Sequence, residues 1–182
     1  MHEAHATFAH PPRNVHALGI ETGMKVADFG SGGGAYALLI SQRLADSGHI
    51  YAIDVQRDLL RRIHNEAKRK GVRNLSIIWG DLERPGGSKL ADGSLDFVLI
   101  SNLLFQIERK EAVVTEAARI LRNGGRLAII EWSDSFNGMG PVQEDVVTKE
   151  KALALAREAE FDFIREFVAG AHHYGLLFRK PA

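Results

Sequence analysis

Residues 26–40 read VADFGSGGGAYALLI: an apolar run, four glycines in five positions, then a second apolar run. The first run is short and stops at glycine, which suits a buried strand. The second is long enough to begin a helix with an almost wholly apolar face. A strand, a glycine turn and a helix in that order open a parallel α/β sheet. A backbone this bare serves a ligand that must approach closely. Taken alone, the glycines leave a nucleotide pyrophosphate as a candidate, because GSGGGA also satisfies the loose G-x-G-x-x-A pattern of dinucleotide sites.

The alternation continues outward from this unit. Residues 49–54 (HIYAID) form a second strand candidate, and 56–70 a helix with Leu59, Leu60, Ile63 and Ala67 on one face and Gly71 at its stop. Residues 75–79 and 96–101 (DFVLIS) read as the third and fourth strands. A helix over 108–121 carries Val113, Ala117, Ile120 and Leu121 inward and ends at Asn123-Gly124-Gly125; the fifth strand runs over 126–132. A last helix at 149–160 is capped by Thr148. The strands at 161–169 and 174–179 stand only a few residues apart, which permits an antiparallel hairpin and excludes a parallel crossover. The expectation is a doubly wound, mostly parallel sheet that closes on one antiparallel strand.

Composition sets the remaining bounds. A chain of 182 residues, 45% hydrophobic and 25% charged, fits one globular domain. We divide it into an N-terminal segment at 1–17, a candidate lid carrying Phe8 and His10, and a domain at 18–182. Lys plus Arg and Asp plus Glu number 23 each, so no global field draws the chain to nucleic acid or an anionic membrane. The cations Arg57, Arg61, Arg62, Lys68, Arg69, Lys70 and Arg73 read as the solvated face of the second helix rather than an RNA surface. No cysteine is present, which excludes disulfides, thiolate metal sites and a cysteine nucleophile. His2, His5, His10 and His16 are spaced too irregularly to suggest a metal site. The apolar runs are too short to span a bilayer and no signal peptide opens the chain, so a cytoplasmic location is expected.

Ligands of open α/β sheets lie beyond the carboxyl ends of the strands. Here those ends carry Asp28 with the glycines, Asp54, Asp81, Ser101-Asn102 and Glu131-Trp132. Three carboxylates around one crevice repel a pyrophosphate. They suit an amino group, ribose hydroxyls and an exocyclic adenine amine. Asp54 also stands about twenty residues past the glycine loop, where a ribose-binding acid is expected.

At this point the chain resembles a known family. DFGSGGG matches the D/E-x-G-x-G-x-G first motif of class I S-adenosylmethionine-dependent methyltransferases, and YAIDVQRDLL, IIWGDLE, DFVLISNLLFQI and ARILRNGGRLAIIEW are similar to their later strand motifs in order. The likeness covers residues 18–179 and is nearest the small ubiquinone-biosynthesis and arsenite-methyltransferase-like type. It implies a Rossmann-like seven-stranded sheet of order 3-2-1-4-5-7-6, with S-adenosylmethionine as cofactor and S-adenosylhomocysteine as product. On that resemblance Gly30, Ser31, Gly32 and Gly34 let the backbone approach the methionine part and ribose, and Asp28 holds the ammonium. Asp54, with Val55 beside it, binds the ribose hydroxyls; Gly80, Asp81 and the Leu82 backbone read adenine; Ser101 and Asn102 lie near the sulfonium.

The acceptor side is less legible. The family often has a histidine where this chain has Phe105, and an Asn-Pro-Pro-aromatic motif is replaced by Ser101-Asn102-Leu103-Leu104. Candidate catalytic residues are Glu131, His172 and His173. Candidate acceptor contacts are Tyr36, Phe105, Trp132 and Tyr174. Each also has a plain reading as packing, a loop cap or an exposed turn. The expected function is methyl transfer by in-line displacement to a small molecule. A protein side chain is the second acceptor class; a binding-only regulator and an NAD-dependent oxidoreductase are the rival readings. The residues leave oligomeric state open.

Overall fold

The computed structural model describes residues 9–136 and 138–182. Seven strands form one sheet in the order β3-β2-β1-β4-β5-β7-β6, as the resemblance implies. They are β1 (Lys25–Phe29), β2 (His49–Asp54), β3 (Leu75–Trp79), β4 (Leu95–Ser101), β5 (Leu121–Trp132), β6 (Asp162–Gly170) and β7 (His173–Arg179). Pairings from β3 through β5 are parallel, and β7 runs antiparallel to both β5 and β6. The helices are α1 (Pro11–Ala17), α2 (Ala35–Leu44), α3 (Arg57–Arg69), α4 (Lys110–Ile120) and α5 (Lys149–Glu158).

Side chains alternate across the buried strands, so the core divides in two. Val26, Ile50, Ala52, Phe97 and Leu99 face one way and pack with Val15 of α1, Ala37 and Ile40 of α2, and Leu60 and Ile63 of α3. Ala27, Phe29, Val98 and Ile100 face the other and meet Val113, Ala117 and Ile120 of α4 and Ala152 and Ala156 of α5. Thr148 caps α5 as expected, its hydroxyl accepting the Lys151 N–H.

Two boundaries differ from the sequence reading. Pro11-Pro12 opens α1, where missing N–H groups cost nothing, and the His10 ring accepts the Arg13 N–H at 3.2 Å. The helix lies in the stretch set apart at 1–17, yet Val15 belongs to the core. Phe8, His2 and His5 lie outside the described residues. Strand β5 begins at Leu121, earlier than expected, because Leu121 pairs with Leu95 before the register shifts and Arg126 meets Phe97. The Asn123-Gly124-Gly125 segment is held by Gly124 donating to the Lys180 carbonyl and Lys180 donating to Gly125.

Strand order reverses at β1: the chain steps outward to β2 and β3, then returns to β4 on the other side of β1. The loops leaving β1 and β4 therefore part, and a crevice opens between them.

Candidate active site

The crevice is a cavity of about 550 Å³ at the carboxyl ends of β1 to β4. Asp28 forms its inner wall at 2% exposure, and its Oδ2 has no hydrogen-bond partner among the described residues. Burial pushes its pKa up to about 7, and the neighbouring Asp54 adds to the rise against a hydrogen bond from the Ala37 backbone.

The glycine loop is tied to β2 by backbone bonds. The N–H groups of Gly30 and Ser31 both donate to the Ile53 carbonyl, at 2.9 and 3.0 Å. Asp54 then holds two turns at once: Oδ2 accepts the Gly32 N–H at 2.9 Å and Oδ1 the Gln56 N–H at 2.8 Å. Each oxygen keeps a lone pair for a ligand hydroxyl. Gly34 is required by the packing of the helices. It is the N-cap of α2 with φ of 82°, it is not on the cavity lining, and a Cβ there would stand 2.8 Å from Ile63 Cγ1. It lets α2 and α3 close together beneath the loop.

On the far side, Asp81 accepts the Glu83 N–H on Oδ1 and pairs with Arg84 through Oδ2 at 2.9 Å. Its loop is anchored from behind by buried Glu116, which accepts the N–H groups of Gly86 and Ser88 and is paired with Arg119. Ser101 ends β4, and the Asn102 Oδ1 has no partner among the described residues. Asn102 has φ of 52°, a conformation few non-glycine residues adopt.

Asp28, Gly30, Ser31, Gly32, Asp54, Val55, Gly80, Asp81, Leu82, Ser101, Asn102 and Tyr36 are thus brought to one cavity. The remaining sequence candidates are not on its lining. Glu131 is fully buried behind the Leu103-Leu104 backbone, and Phe105 lies on a 3-10 turn (Leu104–Gln106). His173 is buried with its ring 4.3 Å from that of Trp132, and burial, aided by His172, lowers its pKa to about 4. Neutral at pH 7, it sits apart from the cavity. His172 Nδ1 meets Asp134 at 2.8 Å, and the Tyr174 hydroxyl donates to the Val147 carbonyl at 2.7 Å. Among the described residues no cluster of three or more His, Cys, Asp and Glu is placed to hold a metal ion, and no helix is long and apolar enough to cross a membrane.

Sequence reasoning missed the part α1 plays. Asn14 is fully buried, and its Nδ2 donates both to the Tyr36 hydroxyl at 2.8 Å and to the Ala169 carbonyl at 2.9 Å. The Ser101 side chain stands against the same hydroxyl. The only available signal was the Pro-Pro pair opening a helix. Asn14→Ala should lower stability by about 1–3 kcal/mol, since it strands a buried carbonyl and hydroxyl. Thermal melting checks this; an unchanged melting temperature would remove Asn14 from the framework. Gln56, Leu59, Gln106 and Ile107 also line the cavity; they fall within the quoted strand motifs, which gave them no role.

The electrostatics are one-sided. Four acids, Asp28, Asp54, Asp81 and Glu83, line the cavity, and its described lining contains no Lys, Arg or His. Such a wall attracts a cation and offers hydrogen-bond acceptors to a ligand rich in donors.

A seven-stranded sheet of this order with a terminal hairpin is the Rossmann-like fold of class I methyltransferases. The chain belongs to the methyltransferase domain family, whose model matches residues 20–171. Among curated relatives, an arsenite methyltransferase of Aquipseudomonas alcaligenes is 34% identical over 110 residues, covering 58% of this chain and 32% of the relative. A ubiquinone/menaquinone biosynthesis C-methyltransferase, UbiE, of Pseudomonas fluorescens is 28% identical, covering 69% of this chain and 48% of the relative. The chain thus spans half or less of either relative's length. Among solved structures, an S-adenosylmethionine-dependent methyltransferase of Aquifex aeolicus superposes with a TM-score of 0.85 at 23% identity, covering 94% of this chain and 90% of its own. The [4+2]-cyclase SpnF follows at 0.79 and 17%, covering 94% and 82%. At these identities the structural likeness speaks for the fold alone.

Proposed function

We propose that this chain binds S-adenosylmethionine in the cavity and transfers its methyl group to a small-molecule acceptor. The observation that carries the reading is a cavity lined by four acids and no described cation, with two buried oxygens of its wall, Asp28 Oδ2 and Asn102 Oδ1, left without a partner among the described residues. A pyrophosphate would meet carboxylates and no cation of the described lining there, which disfavours a dinucleotide. A nucleoside that carries an ammonium and a sulfonium fits the donor set. Asp28 would hold the ammonium, Asp54 the ribose hydroxyls, and Asp81 with the Leu82 backbone the adenine edge.

When bound, S-adenosylmethionine supplies a methyl carbon activated by positive sulfur. The protein's share is alignment and exclusion of water, so no acid or base on the wall is required unless the acceptor must lose a proton. Ser101, Asn102 and Tyr36 also line the cavity and would orient the acceptor. The relatives' names, for arsenite and for a quinone precursor, support a small-molecule acceptor over a protein side chain.

Calorimetric titration with S-adenosylmethionine, S-adenosylhomocysteine and NAD tests the cofactor; binding of NAD alone would overturn the proposal. Transfer of labelled methyl into a cell extract, fractionated by size, then tests the acceptor class. Label only in the macromolecular fraction would exclude the small-molecule reading.

The Asp28 carboxyl adds a pH signature. In the free protein it keeps its proton up to about pH 7. A cation beside it favours the ionised form, so binding releases that proton. Affinity for S-adenosylhomocysteine should therefore rise with pH up to about 7 and level off above it, and Asp28→Asn should flatten that slope. The same group acts oppositely on the free fold. Its stabilising contribution is complete below about pH 4, the unfolded value, and is lost as pH climbs through about 7. An Asp28→Asn variant with an unaltered binding slope would place the titrating group elsewhere.

A further inference from the structure

Glu131 ends β5 beside the residues that line the cavity, but it touches none of the cavity space. It is 0% exposed, and its Oε1 accepts two consecutive backbone N–H groups, from Leu103 at 2.8 Å and from Leu104 at 2.6 Å. The Trp132 backbone N–H also stands against the carboxyl. The two N–H groups belong to the segment 102–107, which contributes Asn102, Leu103, Gln106 and Ile107 to the cavity lining.

That segment closes on itself through Gln106 and Ile107, whose N–H groups donate to the Leu103 and Leu104 carbonyls, and through Gln106 Nε2, which donates to the Asn102 carbonyl; its tie to the sheet lies at its start. Asn102 sits at φ of 52°, in the left-handed region that asparagine tolerates better than other residues with a side chain. Three bonds hold it here. The Asn102 N–H donates to Ile130 of β5 at 2.9 Å, and the next two N–H groups converge on Glu131. The held segment in turn presses on the glycine loop: a Cβ at Gly30 would come within 2.7 Å of Leu103 Cδ1. A chain of contacts therefore runs from Glu131 through the Leu103 backbone to the loop that begins the cofactor cavity.

We propose that Glu131 is a positioning residue whose buried carboxyl oxygen fixes the 102–107 segment, and through Leu103 the glycine loop, in the form that receives the cofactor. It acts on the cavity from behind rather than on the reacting atoms. Burial raises its pKa to about 7 against the backbone N–H groups of Leu104, Leu103 and Trp132 and the Lys110 charge. An acceptor oxygen, not a negative charge, is what the two N–H groups require, and a glutamine supplies one. The affinity arm below rests on the S-adenosylmethionine reading; the exchange arm does not.

The test compares Glu131→Gln with Glu131→Met, which keeps the length and volume and removes the acceptor. Met should weaken S-adenosylhomocysteine binding and speed amide exchange of Leu103 and Leu104 by about 10-fold each, while Gln should stay within about 3-fold of the parent on both. A Met variant matching the parent on both readouts, or a Gln variant as impaired as Met, overturns the proposal. Exchange in the unaltered protein stands apart from both variants. Leu103 and Leu104 should be the slowest amides of 102–107, and fast exchange at those two positions also overturns it. If the unaltered protein binds no S-adenosylhomocysteine, the cofactor reading fails and the exchange results alone decide on Glu131.

Discussion

Replacing Asp54 with alanine is expected to weaken S-adenosylhomocysteine binding by about 100-fold, or ~3 kcal/mol. The size comes from two losses at one carboxylate. The ribose hydroxyls lose an ionised acceptor, where hydrogen bonds are worth more than between neutral groups. The Gly32 and Gln56 N–H groups also lose the oxygens that accept them, at 2.9 and 2.8 Å. Those two bonds set the mouth of the cavity, because Gly32 and Gln56 both line it. Asp54→Asn keeps one acceptor oxygen and replaces the other with a donor, so it should fall between, at about 10-fold. Calorimetry on the three proteins checks the order. Unchanged affinity in Asp54→Ala would mean that the ribose does not lie there.

The largest effect on folding is expected at Gly87. A Cβ at this position would stand 1.7 Å from the Asp81 carbonyl oxygen and 2.9 Å from that of Arg84. Both are backbone atoms, so no side chain can swing aside. Gly80 meets the same obstacle from across the loop, with a Cβ 2.3 Å from the Gly87 carbonyl oxygen. Two glycines thus face each other where the chain after β3 folds back on itself, and that closure presents Asp81 to the cavity. Gly87→Ala should cost at least ~4 kcal/mol, enough to lower the melting temperature by about 10 °C or more. The neighbouring Gly86→Ala is the control. It has φ of 71° and nothing within 4 Å of its Cβ, so it should cost only about 1 kcal/mol. Similar melting curves for the two variants would show that the 80–87 loop opens more readily than its packing implies.

The two variants also mark what could be read from residues. Asp54 follows a strand candidate at the spacing of a ribose-binding acid, and the structure puts it on the cavity lining with Asp28 and Asp81. Gly87 carries no motif, because its need for glycine arises from Asp81, six positions away in sequence and in contact only after the loop closes. Gly34 was legible as a glycine but not as a packing one, since its neighbour Ile63 belongs to the next helix. His172, His173 and Trp132 illustrate the converse. Residue type and a strand-end position suggested chemistry, yet the Trp132 ring packs against His173 and the His172 ring against Phe136, and none of them is on the cavity lining. Chemical type survives in a sequence; the direction in which a side chain is buried does not.

The order of strands and glycines by itself determined a doubly wound sheet with an antiparallel close, and the acids at three successive strand ends determined the charge of the crevice. Both follow from local patterns: apolar period, turn residues and the polarity of each strand terminus are properties of neighbouring residues. Only the tertiary structure decided that Asn14 of an unforeseen helix braces Tyr36, and that Glu131 turns its carboxyl to the backbone of Leu103 and Leu104. Those contacts join residues 22, 28 and 27 positions apart. They depend on which elements the sheet brings side by side, and no pattern within one element records that.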